Sequence, residues 1–427
     1  MEPVETVICG AGIAGIATAY YLSVRYNRHN TVLVDRLLPM SLTTSKSGEN
    51  YRDYWPQACM TEFVSHSLDL INELCADVDP SSVNVREVGY DFISRHADSD
   101  LFPASYNDDF DNTGRLNRTT DPSKISLQKP YLADSVKQIV HIPRAGFFDV
   151  NGLGSLMLSK ARKAGVQFQQ ANIENIDQRE GSGFTLILRE DGKQPEKLSC
   201  QQLVLAPGPF INNLANMLGQ KLAIENYLQR KFIIPDPAGV VPEDMPFTIC
   251  ADPVYLEWSE HERQLIEADP EFSHLLDQFP PGLHIKPEGK NHVKLGWAIN
   301  RQQEAPNWEI SDDPLFADIV LRGASQFIPG IKQYIGNMPT PIVQFAGYYT
   351  RTRENWPIIG PMDIDGLYAV AGLSGYGTMS ACGAGELCAD WMYGNDRPGY
   401  ARNFHPTRYN DATVQAEIDS ISSDGQL

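Results

Sequence analysis

The sequence predicts an α/β fold in which a second, α+β domain is threaded through a domain built on a parallel sheet. Three observations support this prediction. The apolar run Val4 to Cys9 precedes closely spaced glycines and a helical pattern. Two further apolar runs, Leu203 to Ala206 and Leu367 to Ala371, have the composition of buried strands. Residues 221–344 between them alternate polar and apolar side chains, as an antiparallel sheet does.

The first βαβ unit has the spacing of a dinucleotide-binding site. Gly10, Gly12 and Gly15 fit GxGxxG, the helix-forming run Ile13 to Leu22 follows, and the next strand ends at Asp35. Gly10 permits a tight turn, Gly12 lets a pyrophosphate approach the backbone, and Gly15 lets helix and strand pack closely. The phosphates would lie at the helix N-terminus, and Asp35 would accept hydrogen bonds from a ribose. This unit alone leaves FAD and NAD(P) open.

Composition and charge exclude several classes of protein. The chain has 427 residues, 42% of them hydrophobic, which suits two domains with a large core. Its net charge of −19 argues against nucleic acid or an anionic membrane surface as a partner. No segment has the length and composition of a signal peptide or a membrane span. Seven scattered cysteines without CxxC spacing predict neither disulfides nor a metal site, and favour the cytoplasm.

The remaining elements follow from periodicity and from Gly and Pro positions. Residues 98–129 are polar and are predicted to be a long surface excursion, and residues 259–281 an acidic, helix-like insertion. Predicted helices are Cys59–Leu74, Val150–Ala164 and Ser380–Met392. Predicted strands are Val83–Ser94, Val166–Gln170, Glu174–Asp177, Phe184–Leu188, Phe232–Pro235, Val254–Trp258, Leu283–Lys286 and Val293–Ala298, the last four in one antiparallel sheet. We assign 1–75, 140–215 and 345–410 to the nucleotide domain, 76–139 and 216–344 to a substrate domain, and 411–427 to a tail.

Three motifs beyond the N-terminus carry a family resemblance. They are Gly-Phe-Phe-Asp-Val-Asn-Gly-Leu (146–153), Leu-Val-Leu-Ala-Pro-Gly-Pro-Phe (203–210) and the Gly-rich segment Leu367 to Met379. With the N-terminal unit, they resemble the D-amino-acid oxidase and sarcosine oxidase superfamily, which includes glycine oxidase. The resemblance implies a Rossmann-like FAD-binding domain, a discontinuous second domain built on a mixed or antiparallel sheet, and FAD as the dinucleotide.

The resemblance also indicates where FAD would bind. Gly375 and Gly377 would allow close backbone approach to the flavin ring, with a helix N-terminus behind them. The hydroxyl groups of Thr44, Ser45 and Ser47 would face the pyrophosphate, and Gly48 would allow close approach. Other positions assigned to the cofactor are Ile13, Ala14, Arg36, Ile173, Ala206, Gly208, Tyr376, Thr378 and Met379.

Four residues are predicted to act at the reaction site. Lys294, in Lys294-Leu-Gly296, matches the lysine that lies over the flavin and activates oxygen in sarcosine oxidases. Arg52 matches an arginine that stabilises reduced flavin or a substrate carboxylate, for which its planar fork is suited. Tyr349 and Tyr376 are interpreted as pocket residues.

Two positions depart from the sarcosine oxidase pattern. Gly347 stands where those enzymes have a cysteine linked to the flavin, so the FAD is predicted to be non-covalent. Met379 replaces a lysine that helps to hold the substrate carboxylate. Arg351 and Arg353 are candidates to take over that task, or are surface charges.

The sequence therefore predicts an FAD-dependent oxidoreductase that acts on a C–N bond of an amine or amino acid. Hydride would pass to the flavin, and O₂ would reoxidise it to give hydrogen peroxide. The alternatives are a dehydrogenase with another electron acceptor, a hydroxy-acid or biosynthetic tailoring oxidase, and a non-catalytic flavin-binding factor. A homo-oligomer is a further expectation.

Overall fold

The computed structural model describes residues 4–101, 115–394, 396–423 and 425. The strands in chain order are β1 (Val4–Cys9), β2 (Thr31–Asp35), β3 (Asn50–Arg52), β4 (Arg86–Glu87), β5 (Tyr90–Ser94), β6 (Asn117–Thr119), β7 (Gln138–Ile142), β8 (Ala145–Phe147), β9 (Gln167–Gln170), β10 (Asn172–Gln178), β11 (Phe184–Arg189), β12 (Glu196–Leu205), β13 (Glu225–Pro235), β14 (Phe247–Cys250), β15 (Leu283–Pro287), β16 (His292–Trp297), β17 (Val343–Arg351), β18 (Ile358–Pro361) and β19 (Leu367–Ala371). The α-helices are α1 (Ile13–Tyr20), α2 (Ala58–Cys75), α3 (Pro122–Gln128), α4 (Val150–Lys163), α5 (Ile211–Met217), α6 (Glu260–Ala268), α7 (Phe316–Ser325), α8 (Gly377–Tyr393), α9 (Ala401–Phe404) and α10 (Ala412–Asp419).

The first sheet contains the predicted βαβ unit. Its parallel strands run in the order β19-β12-β1-β2-β9, and β10, β11 and β18 extend it with antiparallel pairings. Strand β1 lies at the centre and is buried because its apolar residues Val7, Ile8 and Cys9 are covered on both faces. Returns of the chain at β12 and β19 complete the sheet, as the apolar runs at those positions predicted.

Helices α1, α4 and α8 pack on one face of this sheet. Gly385 of α8 touches α1 so closely that a Cβ at this position would lie 2.5 Å from the Ala17 carbonyl carbon. Helix α1 ends at Tyr20, and a π-helical turn, Tyr21–Arg25, continues it past the predicted end at Leu22. The close packing fixes the N-termini of α1 and α8 at the same edge of the sheet.

The second sheet is mixed and has the order β17-β13-β16-β15-β14-β5-β7-β6. One face packs on α7 around Phe232, Leu295 and Trp297. The other face carries polar and aromatic side chains toward the first sheet. β13, β15 and β16 confirm three of the four strands predicted here. The prediction of a strand at Val254–Trp258 was wrong, because its backbone forms only an isolated bridge to Phe279 and its alternation reflects packing on the insertion.

The two segments predicted to be surface additions, 259–281 and 98–129, differ in how closely they match the prediction. The insertion contains α6, whose start is fixed by a capping box between Ser259 and Glu262. Residues 102–114 of the predicted excursion lie outside the described residues. The rest of it is more regular than predicted, since β6 pairs with β7 and α3 follows the N-cap Asp121.

Two strands of the second sheet cross the predicted domain boundaries, so the sheets do not define where each domain begins and ends. β7 and β17 belong to the second sheet, although parts of both were assigned to the nucleotide domain. The boundaries stay a prediction. The cysteines are free thiols. Within the described residues, no helix is both long and apolar enough to cross a membrane, and no three His, Cys, Asp or Glu side chains form a metal-binding group.

Candidate active site

The carboxylate of Asp35 is fixed at the end of β2 by backbone N–H groups. Its Oδ2 accepts from the Ala11 N–H at 2.6 Å, and its Oδ1 accepts from the Leu37 N–H at 2.9 Å. Burial raises the pKa of Asp35, and the backbone hydrogen bonds oppose this shift. Asp35 therefore joins the glycine loop to β2 and lines a long cleft that begins here.

The glycine loop leaves the N-terminus of α1 open to this cleft. Gly10 has a φ of +108°, and a Cβ there would lie 2.3 Å from the Ala206 carbonyl oxygen. A Cβ on Gly15 would lie 1.9 Å from the carbonyl oxygen of Gly10. Gly12 precedes α1 without capping it through a side chain, so the N–H groups of the first turn other than that of Ile13 can face an anion.

Most of the predicted cofactor residues line the cleft. They are Gly10, Gly12, Ile13, Ala14, Asp35, Arg36, Thr44, Ser47, Gly48, Ile173, Ala206, Gly208, Gly375, Gly377 and Thr378. Gly15 does not line it and instead supports the loop from behind. Ser45 does not line it either, because its hydroxyl donates to the Leu42 carbonyl at 2.9 Å within its own turn. Thr44 Oγ1 accepts from the Ile13 N–H at 3.1 Å.

Two stacked aromatic rings beside the cleft, Phe210 and Trp308, were not predicted from the sequence, and we call them the aromatic wall. The rings of Phe210 and Trp308 are stacked with centroids 4.0 Å apart, and the Arg36 guanidinium lies 5.0 Å from the Trp308 ring centroid. Both rings line the cleft. Trp308 lies in the irregular segment between β16 and α7, so no periodicity in the sequence indicated its role. The wall suits a flat heteroaromatic ring such as adenine.

The far end of the cleft brings together residues from both ends of the chain. The hydroxyl groups of Ser47 and Thr378 are 2.6 Å apart. Helix α8 begins beside them without a side-chain cap. Glu49 and Ser374 have φ angles of +64° and +45°, which are strained for residues with a Cβ and are concentrated at functional sites in proteins.

A second cavity, which we call the reaction chamber, adjoins this end. It shares Gly48, Lys231, Tyr349 and Gly375 with the cleft. Its other lining residues are Asn50, Arg52, Trp55, Tyr90, Phe247, Ile249, His284, Ala298, Tyr376 and Met379. Three of the four predicted catalytic residues, together with Met379, therefore meet here. Lys294 is not among the described residues that line the cleft or the chamber.

The guanidinium of Arg52 is buried among aromatic rings. It lies 4.2 Å from the Trp55 ring centroid and 5.3 Å from that of Tyr90. It donates a hydrogen bond to the backbone carbonyl of Gly425, in the C-terminal tail. The amide of Gln57 holds the same tail at the carbonyl of Ser423. The tail thus occupies an Arg52 donor that the sequence assigned to a substrate or the flavin.

The two predicted pocket tyrosines have different surroundings. The Tyr376 hydroxyl donates to the Asn355 carbonyl at 2.7 Å, and its ring packs edge-on against Trp55. Tyr376 therefore forms a fixed wall of the chamber. The Tyr349 ring lines both cavities, and the Lys231 ammonium lies 5.2 Å from its centroid.

Lys294 belongs to a cluster of ion pairs beside the chamber. Its Nζ lies 2.8 Å from Glu49 Oε2 and 3.1 Å from Glu288 Oε2. Lys286 lies 2.7 Å from the same Glu288 oxygen. Burial and the neighbouring Lys294 lower the pKa of Lys286. The Lys294 charge is thus compensated by two carboxylates.

Lys231 of β13 was not singled out in the sequence. It is only 6% exposed and lines both the cleft and the chamber. Within the described part of the chain, no carboxylate lies within salt-bridge distance of its Nζ. The register explains its place, because Lys231 pairs with Gly296, which leaves room for a long side chain on this face.

His284 is a further polar group that sequence reasoning missed. Its Nδ1 lies 2.9 Å from the Gly282 carbonyl oxygen, which requires the Nδ1–H tautomer when the ring is neutral. Burial and the Lys231 charge lower the pKa of His284 to about 3. Its Nε2 is buried and has no hydrogen-bond partner among the described residues. His284 therefore gives the chamber a neutral acceptor.

Arg351 and Arg353 lie outside the chamber. Both line a wider surface depression next to it, and Arg353 pairs with Asp419 at 3.4 Å. The structure thus does not bring them to Arg52.

The site as a whole fits an extended dinucleotide with a reactive ring. Asp35 and the aromatic wall suit its adenosine, the α1 N-terminus suits its pyrophosphate, and the glycines at 48, 347 and 375 leave space for a flat ring beside the chamber. The fold and site define a dinucleotide-dependent oxidoreductase.

Comparisons with known proteins agree. Residues 5–391 match the FAD dependent oxidoreductase family, DAO, and the chain therefore belongs to this family. L-proline dehydrogenase from P. horikoshii has a similar structure, with a TM-score of 0.75 and 18% identity over 96% of this chain and 98% of that one. Glycine oxidase from Geobacillus kaustophilus has a TM-score of 0.71 and 17% identity, over 93% of this chain and 96% of that one. Iminodiacetate oxidase from Chelativorans sp. BNC1 has a TM-score of 0.71 and 17% identity, over 94% of this chain and 99% of that one. A search of curated proteins gave no significant match.

The family membership confirms the predicted superfamily, fold class and cofactor. The protein is an FAD-dependent oxidoreductase with the amino-acid and amine oxidase fold.

Proposed function

We propose that this protein oxidises the C–N bond of an amine that carries a carboxylate, with O₂ as electron acceptor. The observation that carries the proposal is the charge of the reaction chamber. Arg52 and Lys231 line it, and no carboxylate is among its described lining residues. Buried positive charge in a cavity whose described lining holds no carboxylate favours an anionic substrate group.

When bound, FAD would supply the redox chemistry, which is a two-electron oxidation at the carbon next to nitrogen with O₂ as the final acceptor of the electron pair. Over the full reaction, the amine, O₂ and water give a carbonyl compound, the released amine or ammonia, and hydrogen peroxide. The side chains of the chamber orient the substrate and exclude water.

Three side chains have distinct tasks in this proposal. Arg52 binds the substrate carboxylate through its planar fork. The Nε2 of neutral His284 accepts a hydrogen bond from the substrate nitrogen. Tyr349 covers the passage between cleft and chamber, because its ring lines both.

We further propose that Lys231 supplies the positive charge that stabilises developing superoxide. The sequence predicted Lys294 for this role. Lys231 is better placed, since it lines both cavities, whereas Glu49 and Glu288 compensate the charge of Lys294. A fixed charge without a counter-ion acts most strongly on a nearby anion.

The flavin would be held without a covalent bond. Gly347 lines the cleft where a linking cysteine would stand, and no cysteine is among the described lining residues. Acid precipitation should therefore release all yellow pigment into the supernatant. Pigment that stays with the protein would contradict non-covalent binding.

Anaerobic mixing with a panel of candidate substrates tests the proposed reaction. Amines that carry a carboxylate should bleach the flavin, and admitted air should restore its colour with one peroxide per turnover. Bleaching by hydroxy acids alone would refute C–N oxidation. Slow recovery in air but fast recovery with an added quinone would refute the choice of acceptor.

A further inference from the structure

A wide depression at the ends of β13 and β17 opens beside the reaction chamber. We call it the vestibule. Ala298 and Tyr349 line both spaces, so the vestibule meets the chamber at these two residues. A substrate that reaches Arg52 through this opening passes over the vestibule surface.

The vestibule is strongly basic in an acidic protein. Four cationic side chains line it, and the net charge of the whole chain is −19. They are Lys221, Arg301, Arg351 and Arg353. The single carboxylate among its described lining residues, Glu225, accepts a hydrogen bond from the Tyr227 hydroxyl at 2.5 Å.

Two of these cations have no counter-ion in the described part of the chain. Lys221 and Arg301 are exposed, and neither forms a salt bridge there. Arg353 pairs with Asp419, but both side chains are exposed, so water weakens this pair. The concentration of positive charge in a concave surface attracts anions and raises their local concentration.

An unsatisfied polar group gives independent evidence for a ligand. Gln229 lines the vestibule and is only 5% exposed. Its Nε2 donates to the Asn300 carbonyl at 2.8 Å, while its Oε1 is buried and has no partner among the described residues. Buried amide oxygens normally accept a hydrogen bond, so this atom suits an N–H group of a ligand.

We propose that the vestibule binds a second acidic group of the substrate, at the end remote from the reacting carbon. The proposal rests on the function proposed above, in which Arg52 binds the first carboxylate. The substrates would then be dianionic amino acids, whose nitrogen lies between two acidic ends. Gln229 would accept from an N–H of the same molecule.

Inhibitor binding to the FAD-loaded enzyme tests this site without relying on oxidation. Dicarboxylates of increasing length are titrated against monocarboxylates with the same number of carbons, and binding is followed by the change in flavin absorbance. At least one dicarboxylate should bind about tenfold more tightly than its monocarboxylate, a difference of about 1.4 kcal/mol. Added salt should reduce this preference.

The variant Arg301→Glu should abolish the preference and leave monocarboxylate binding unchanged. Lys332→Glu makes the same charge change at an exposed residue outside the vestibule and should keep the preference. Equal binding of both ligand classes by the wild type would overturn the proposal. So would an equal effect of the two variants.

The two proposals can fail separately. If no amine bleaches the flavin but the dicarboxylate preference and its loss in Arg301→Glu are found, the proposed reaction is wrong and the anion site stands. If monocarboxylic amines bleach the flavin and dicarboxylates show no preference, the reaction stands and the vestibule proposal is wrong. Phosphorylated monocarboxylates in the same titration show whether phosphate can replace the second carboxylate.

Discussion

The end of the cleft near Asp35 and the reaction chamber are built by different means. Near Asp35, the glycine loop and the Asp35 carboxylate are placed by backbone geometry within one βαβ unit. In the chamber, the side chains of Arg52, Lys231 and His284 come from distant strands. A tight backbone turn requires glycines at fixed positions, so its spacing can be recognised in the sequence. Side chains from separate strands meet only when the sheet register brings them together, and no local spacing predicts this. Substitutions at the two ends should therefore have different consequences.

Close packing behind the glycine loop should make Gly15→Ala the most damaging change. A Cβ there would clash with the Gly10 carbonyl oxygen, although alanine is otherwise favourable within a helix. We expect the free energy of unfolding of the apoprotein to fall by about 3 kcal/mol. Thermal unfolding measures this effect.

Gly12→Ala is the matched control. Its Cβ would meet Thr44 Oγ1 at an acceptable 3.4 Å, so apoprotein stability should change by less than about 0.5 kcal/mol. Flavin affinity should still fall at least about tenfold, because the methyl group would lie where we expect the pyrophosphate to approach. Equal stability of the two variants would contradict this distinction between packing and binding.

Lys231→Met and Lys294→Met compare the two candidate cations at the chamber end. Loss of Lys231 should slow flavin reoxidation by O₂ about 100-fold, while reduction by substrate changes little. Lys294→Met should slow reoxidation less than about tenfold, since Lys286 still balances Glu288. Stopped-flow traces of reduced enzyme mixed with O₂ measure both. The reverse order of effects would support the assignment made from the sequence.

Removal of residues 421–427, the last part of the C-terminal tail, should make Arg52 more accessible. A chain that ends at Ser420 lacks the Gly425 carbonyl that accepts from Arg52. Since a hydrogen bond to a charged group contributes about 1.5–3 kcal/mol, monocarboxylates should bind about tenfold more tightly. Gln57→Ala, which loosens the tail at Ser423, should have a smaller effect of the same sign. Weaker binding in both variants would mean that the tail completes the substrate site.

The pH dependence of stability should show the smallest effect. Because the folded-state pKa of His284 lies near 3 and the unfolded value near 6.5, the unfolded chain binds an extra proton between these limits. The His284 contribution is complete above pH 6.5, and falls by about 1 kcal/mol between pH 6.5 and 5.5. Denaturant unfolding should show this slope, and His284→Gln should reduce it. An unchanged slope would mean that other groups cause it.

The sequence predicted what depends on local spacing. The glycine loop, Asp35 and the two later strands of the parallel sheet were all predicted from the sequence, because each depends on a short motif or an apolar run. Arg52 and Tyr349 were found only through the resemblance to known flavoproteins. Lys231 and Trp308 were missed, since one looks like an ordinary strand lysine and the other lies in an irregular segment. The ion pairs of Lys294 depend on strand pairing, which no local pattern specifies.

The central claim is that Arg52 holds the carboxylate of an amine beside the flavin. The most direct measurement is the rate of anaerobic flavin reduction by one amino acid and by its amide, in the wild type and in Arg52→Ala. We predict that the acid reduces the wild-type flavin about 100-fold faster than the amide, and that Arg52→Ala removes this difference. Equal rates for acid and amide in the wild type would contradict the claim.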